Sequence, residues 1–430
     1  MNRLLIIFFI FVSNCSLDTR SGIWTEQKKI EKESLLRIIF REEEILDNEI
    51  NPSLIIKLDS KLVNNSYLNN NTNNNGRINF DGNLKNISKF NFSKIDNFDY
   101  FDPKLVFQND NLIFFDDKGS ILKFDESSKI IWKKNFYNKS EKKLKPILNF
   151  DSNENILIIT DNISKYYAIN VNTGDLIWEK YNSAPFNSQI KIYKDNFFVI
   201  DFDNVLKCFS IKNGDELWKF KTGDTFLKSE KRHSLIVVDE GVYFNNSFGD
   251  ITGLNTKNGY LLWQTPTQNT SIIEDAFNLK TSDIVADRQS IIFSNNKNEF
   301  YSLNLKTGRL NWKQKVNSNV RPTIINNLIF SVSNEGFLFI LDAQSGNIIR
   351  ITDLFQSFKD KKRKKISPQG FIVGKEKIYL TTSNGRLLII DIASGKTVSM
   401  IKIDNEKISR PFVSNKNLFI IKENSIIRLN

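Results

Sequence analysis

From about residue 105 to the end, apolar residues come in short runs of four to six, each closed by a turn. Residues 111–115 and 120–124 form one such pair, and residues 377–381 and 386–390 form another. Gly119, Gly336 and Gly385 fall in the short gaps between paired runs. Runs of this length, rich in Ile, Phe and Val and bounded by turn residues, predict β-strands joined as hairpins. After many pairs comes a fixed signature, a turn glycine followed four residues later by tryptophan. It reads Asn172-Thr173-Gly174-Asp175-Leu176-Ile177-Trp178, and it returns with Gly214 and Trp218, Gly259 and Trp263, and Gly308 and Trp312. The tryptophans are separated by 40, 45 and 49 residues. A β-type period of about 40–50 residues means radial repetition, that is, a propeller.

The signature has a physical reading. The glycine supplies a positive φ at no steric cost. Leu176 and Trp178 are two apart and so share one face of their strand. A large ring at the same place in each blade buries apolar area between neighbouring sheets. Weaker copies flank the clear ones. Trp132 keeps the ring without the glycine, and Gly346 and Gly395 keep the glycine without the ring. Together they make seven copies. Residues 411–413, 417–422 and 425–429 then supply three strands before the last residue, and residues 84–92 offer a strand with no partners of its own. The expected fold is all-β, an eight-bladed β-propeller of four-stranded blades. The N-terminal strand closes the ring, which removes free sheet edges. An extended tether precedes it.

The start of the chain reads differently. Arg3 and the apolar stretch 4–12, too short to span a bilayer, predict an export signal. Val12-Ser13-Asn14-Cys15 follows it. The expected organisation is a signal peptide over 1–14, a lipidated and partly disordered tether over 15–83, and the propeller over 84–430. Residues 66–76 are an asparagine run, expected as a mobile surface segment. The net charge of +11 comes with Asn-, Lys- and Ile-rich wording and with no compact basic domain, so it does not argue for nucleic acid.

Candidate chemistry is sparse. His233 is the only histidine, expected on the surface, and Cys208 is expected as a small buried hydrophobe. Ser394-Gly395-Lys396-Thr397 looks like the end of a phosphate loop, yet Ile390 stands where the motif needs a glycine. Residues 359–365 carry six cations between two blades. They read either as a contact for an anionic partner or headgroup, or as a solvated loop tip.

The repeat Asp/Asn-x-x-Thr/Ser-Gly-x-x-x-Trp resembles that of quinoprotein-type propellers, the PQQ-like repeat family, over about residues 84–430. Two branches of the family differ in what they imply. One consists of quinone-dependent dehydrogenases, and it implies a PQQ-dependent periplasmic enzyme or a small-ligand-binding propeller. The other is the BamB branch of outer-membrane lipoproteins. The order of signal, cysteine, tether and ring looks like the second. That resemblance implies lipidation at Cys15, with Asn14 departing from the usual small residue. It implies an outer-membrane location facing the periplasm, no enzyme activity and no cofactor. The implied partners are the POTRA domains of a BamA-like barrel assembly subunit and other assembly lipoproteins. The contact loops carried over by the resemblance hold Leu227 and Lys228 in one, and Asn278 and Lys280 in the next. Asp275 and Asp283 are candidates to supply the acidic charge that the second loop lacks.

Overall fold

In the computed structural model, Leu46–Asn430 form one compact unit. The structure describes residues 46–66, 71–96, 98, 101–108, 110–222, 232–267 and 279–430. The expectations for the export signal, Cys15, Leu227, Lys228, Asp275 and Asn278 fall outside these residues.

The strands group into eight sheets. Each is a blade, and in blades 1 to 7 the four repeat strands run in chain order from the channel outwards. Blade 3 shows the pattern, with Lys191–Tyr193, Asn196–Ile200, Val205–Ser210 and Glu216–Lys221, all antiparallel. Blades 1 and 2 precede it, and blades 4 to 7 begin at Leu235, Val285, Thr323 and Pro368. Blade 8 has three C-terminal strands, and Asn86–Asn91 adds as its outermost. The ring is held shut by apolar contact: Phe107 of blade 1 packs edge-on against Phe419 of blade 8, with centroids 4.8 Å apart.

The tryptophans are joints between blades. Trp263 Nε1–H donates to the carbonyl of Leu305 in blade 5 at 3.0 Å. Trp132, Trp178, Trp218 and Trp312 make the same bond to their next blades. Each ring also lies on the turn glycine of the next blade. A Cβ on Gly259, whose φ is +70°, would lie 2.6 Å from Trp218 Cε3. So glycine is required there twice, by its dihedral and by the ring above it. At the junction of blades 6 and 7 the tryptophan is replaced by Arg350, which is fully buried and packs over Gly395. Gly395 is thus a blade joint, and the phosphate-loop likeness is excluded by its packing.

The outer strands carry a repeated irregularity. Cys208 pairs with Trp218 but Phe209 pairs with Glu216, which leaves Leu217 as a bulge. Ile131, Ile177, Leu262 and Val398 are bulged at the same place in their blades. A bulge disrupts the ladder and blunts an exposed edge.

Residues 62–66 and 71–80 depart from the expected surface tether. Leu62–Val63 and Arg77–Ile78 pair in parallel, and Arg77 pairs with Val373 on the inner strand of blade 7. The described part of the asparagine run lies against the inner strands. Val237 N–H donates to Asn71 O, Ala286 N–H to Thr72 O, and Ile324 N–H to Asn74 Oδ1. The reason is hydrogen-bonding capacity. First strands are the inner edges of their sheets, and asparagines supply both donors and acceptors to edges that no other strand pairs.

Candidate partner face and central channel

A four-stranded antiparallel blade puts its turns at two ends. The turns between first and second strands and the glycine turns lie at one end. The turns between second and third strands and the links between blades lie at the other. The link from blade 3 to blade 4 contains Leu227 and Lys228, and the next contains Asn278 and Lys280. Residues 354–367 link blade 6 to blade 7. By topology, links between blades leave and enter the ring at one end.

Of the four contact residues expected from the sequence, Lys280 is described. It is exposed, and its backbone is fixed. Its N–H donates to Asn296 Oδ1 at 2.7 Å, and its carbonyl accepts from Asn296 N–H at 3.0 Å. Leu279 beside it is buried against Gly249. Asp283 does not join this surface. It faces the channel, where Arg321 Nε donates to its carboxylate at 2.9 Å. The expectation that it supplies surface acidity is therefore corrected, because a carboxylate this enclosed needs a paired cation. His233 is corrected too. It is buried, and its backbone N–H donates to Asn187 O at 2.7 Å, which ties blade 4 to blade 3. Cys208 is buried as expected, and burial pushes its thiol up to about 12.

The basic link is partly built and partly bare. Arg363 pairs with Asp353 at 2.6 Å, donates to Glu335 O and lies over the Phe337 ring. Lys359, Lys361, Lys362, Lys364 and Lys365 are exposed and, among the described residues, make no ion pair. Its two readings thus divide by residue. Arg363 positions the loop, and five ammonium groups face solvent.

The channel is occupied by the chain itself. Asn73 is buried at its centre. Its Nδ2 donates to Ile284 O at 2.9 Å and Gln189 Oε1 at 3.0 Å, and its Oδ1 accepts from Lys191 Nζ at 2.7 Å. One side chain therefore ties blades 3 and 5, and its Nδ2 also lies 3.3 Å from Leu235 O of blade 4. Lys104, Arg232, Arg321 and Arg410 stand around it. Sequence reasoning missed this constellation because its members come from five separate links with no shared motif. Among the described residues there is no group of three metal-ligating side chains.

Comparison with known proteins places this architecture. The family model described as outer membrane protein assembly factor BamB matches residues 117–352. The outer membrane protein assembly factor BamB of Shewanella oneidensis is 22% identical over 310 residues, 69% of this chain and 76% of that protein. The crystal structure of BamB from Moraxella catarrhalis superposes with a TM-score of 0.66 at 14% identity, covering 81% of this chain and 99% of that one. A europium-containing methanol dehydrogenase superposes with a TM-score of 0.64 at 11% identity, covering 83% and 89%, which shows a shared fold alone. With its repeat, its eight blades and a family match over more than half its length, the chain belongs to the BamB family of outer membrane protein assembly factors.

Proposed function

We propose that this protein is a non-enzymatic scaffold of the outer-membrane β-barrel assembly machinery. It binds the POTRA domains of a BamA-like barrel-forming subunit and helps outer-membrane proteins insert. Cys15 carries the lipid that holds it to the outer membrane with the ring in the periplasm. The contact surface is the end of the ring that bears the links between blades. Leu227 and Lys228 in one link and Asn278 and Lys280 in the next form its centre, and the five exposed lysines of the basic link extend it. An apolar residue ringed by charge suits a modest protein interface.

The observation that carries this reading is the filled channel. In a propeller, the funnel is where a small ligand finds enclosure, and here Asn73 and its neighbours take that space. The chain is left with a rigid ring and loops upon it, which is the arrangement of a binding protein. The dehydrogenase reading has no comparable support, since the channel acids Asp102, Asp151 and Asp283 are each paired with an arginine or lysine.

The test is recovery of the full chain from native membranes in mild detergent. A barrel-assembly subunit is expected to co-purify with it, and Cys15→Ala is expected to move the protein to the soluble fraction. Recovery with no such subunit would end the scaffold reading, and a variant still in the membrane would remove Cys15 as the anchor.

A further inference from the structure

The link between blades 6 and 7 is a rigid mount for lysines. At its base Leu354, Phe355 and Ile366 are buried, and Phe358 meets Phe355 edge-on with centroids 5.4 Å apart. Leu354 N–H donates to Gly336 O at 3.0 Å, and Ser367 N–H to Ser383 Oγ at 3.0 Å, so both ends are tied to hairpin turns of blades 6 and 7. Between them Asp360–Arg363 form one helical turn, in which Arg363 N–H bonds Lys359 O at 2.9 Å. Arg363 turns inward, to Asp353 and the Phe337 ring. Lys361 and Lys365 stand two residues to either side of it, and at about 100° per residue they project from the opposite side of the turn. Lys359, Lys362 and Lys364 are exposed beside them. Of the nearby acids, Asp353 holds Arg363, Glu49 accepts from Asp353 N–H at 3.0 Å, and Asp360 is the only acid within residues 354–367.

The make-up of this sector selects the surface it suits. Protein interfaces are built around Trp, Tyr, Met and Arg and are depleted in Lys. Here the one arginine is turned inward, and every exposed residue from 354 to 367 is polar or charged. Ammonium groups are compact point charges on flexible stems, which suits a fluid array of phosphates better than a fixed carboxylate. Clusters of four to eight Lys or Arg are the pattern that holds a protein to an anionic bilayer surface. The path of the chain agrees. Ile50 pairs antiparallel with Ile351, so residues before Ile50 run towards Asp353, where Glu49 is bonded. The N-terminal segment therefore meets the ring on the blade that carries the lysines, at the end that carries them.

We propose that the basic link seats on anionic lipid headgroups. Within the link-bearing end, the membrane contact then lies at blades 6 and 7 and the subunit contact at blades 3 to 5. This deepens the outer-membrane reading above and rests on it. A lipid on the N-terminal segment and a basic patch where that segment meets the ring are the two signals that together give lasting attachment to a bilayer. They also fix orientation, because a tether alone leaves the ring free to turn.

Vesicles of phosphatidylcholine, alone or with one-third phosphatidylglycerol, are the probe, read by co-sedimentation. The full chain is used with Cys15→Ala, so that no acyl chain holds it, and the acids at 42–44 and 47 are present to screen the lysines as they do in the protein. Neutral vesicles give the binding due to the apolar stretch 4–12. Binding to the anionic vesicles is expected to be at least about tenfold stronger. It should fall to the neutral level near 1 M salt, where screening acts over about 3 Å. Changing Lys359, Lys361, Lys362, Lys364 and Lys365 together to Gln is expected to remove that tenfold excess. Changing Lys212, Lys306 and Lys396 to Gln, exposed on glycine turns at the other end, is expected to leave it. Equal binding to both vesicles would overturn the proposal, as would an equal loss in the two sets of variants. So would a five-lysine variant that keeps its vesicle binding but no longer recovers the assembly subunit from native membranes, which assigns the lysines to a protein. If that variant does not fold, Asp360→Asn decides. It is expected to strengthen anionic binding by about threefold, and no gain overturns the proposal. The vesicles hold no protein, so failure here and failure of the scaffold reading are separate results.

Discussion

Trp263 contributes in two ways to the joint between blades 4 and 5. Its ring is buried against Gly308, and its N–H is bonded to Leu305 O. Trp263→Ala is expected to cost about 3–5 kcal/mol, measured by urea unfolding. A loss below about 1 kcal/mol would mean that the ring is not a joint. Asp161 gives a second residue-scale prediction. Burial pushes its carboxyl up to about 6, against bonds from Tyr137 O–H, Ile163 N–H and Lys165 N–H. A raised folded pKa means stability present below the unfolded value near 4 and lost as pH rises through about 6. Between those limits the wild-type chain should lose about 2–3 kcal/mol. Asp161→Asn should flatten that slope, and an equally steep slope in the variant would assign it elsewhere. At this scale the tryptophans and glycines were legible in the sequence because they recur at fixed offsets. Arg350 was not. It stands in a tryptophan's slot and carries the opposite chemistry, and only the structure shows its guanidinium donating to backbone carbonyls.

Those carbonyls connect Arg350 to the elements around it. Its terminal nitrogens donate to Ile392 O at 2.9 Å and to Ala393 O in blade 7, and to Leu54 O of the N-terminal segment at 2.8 Å. Ile50 also pairs with Ile351 on the outer strand of blade 6. The segment is thus a strap that starts at the rim and ends in the channel. Arg350→Met removes the donors and leaves three acceptors. Limited proteolysis is expected to cut residues 46–58 faster in that variant by about tenfold, the effect of losing roughly 1.4 kcal/mol of local protection. Equal rates would show that the strap is held by its other bonds. The strands of the ring were legible because alternation and turn glycines mark them locally. The strap was not, because its partners are about 120 to 350 residues away and its asparagines bond by capacity rather than by period.

For the molecule as a whole, the ring, the strap and the loops have separate tasks. The closed ring fixes the positions of the links, and the strap takes the channel, which is why recognition is proposed for the links. Blade number was legible from seven repeats plus an orphan strand, and Asn86–Asn91 fills the role expected of it. The proposed partner face was legible only as a location. The sequence of the links carries no periodicity, so Lys280 is proposed from the resemblance alone, while the inward turn of Asp283 depends on Arg321, 38 residues later. The exposed lysines of the basic link are proposed to act through charge, which salt screens over about 10 Å at 0.1 M.

The link-bearing end of the ring is proposed to meet the barrel-forming subunit. This is tested most directly by placing a photo-activated cross-linking residue at Leu227, and separately at Tyr260 on a glycine turn at the opposite end. In cells, position 227 is expected to capture the barrel-forming subunit and position 260 is not. Capture at 260 with none at 227 would contradict the account and move the interface to the other end of the ring.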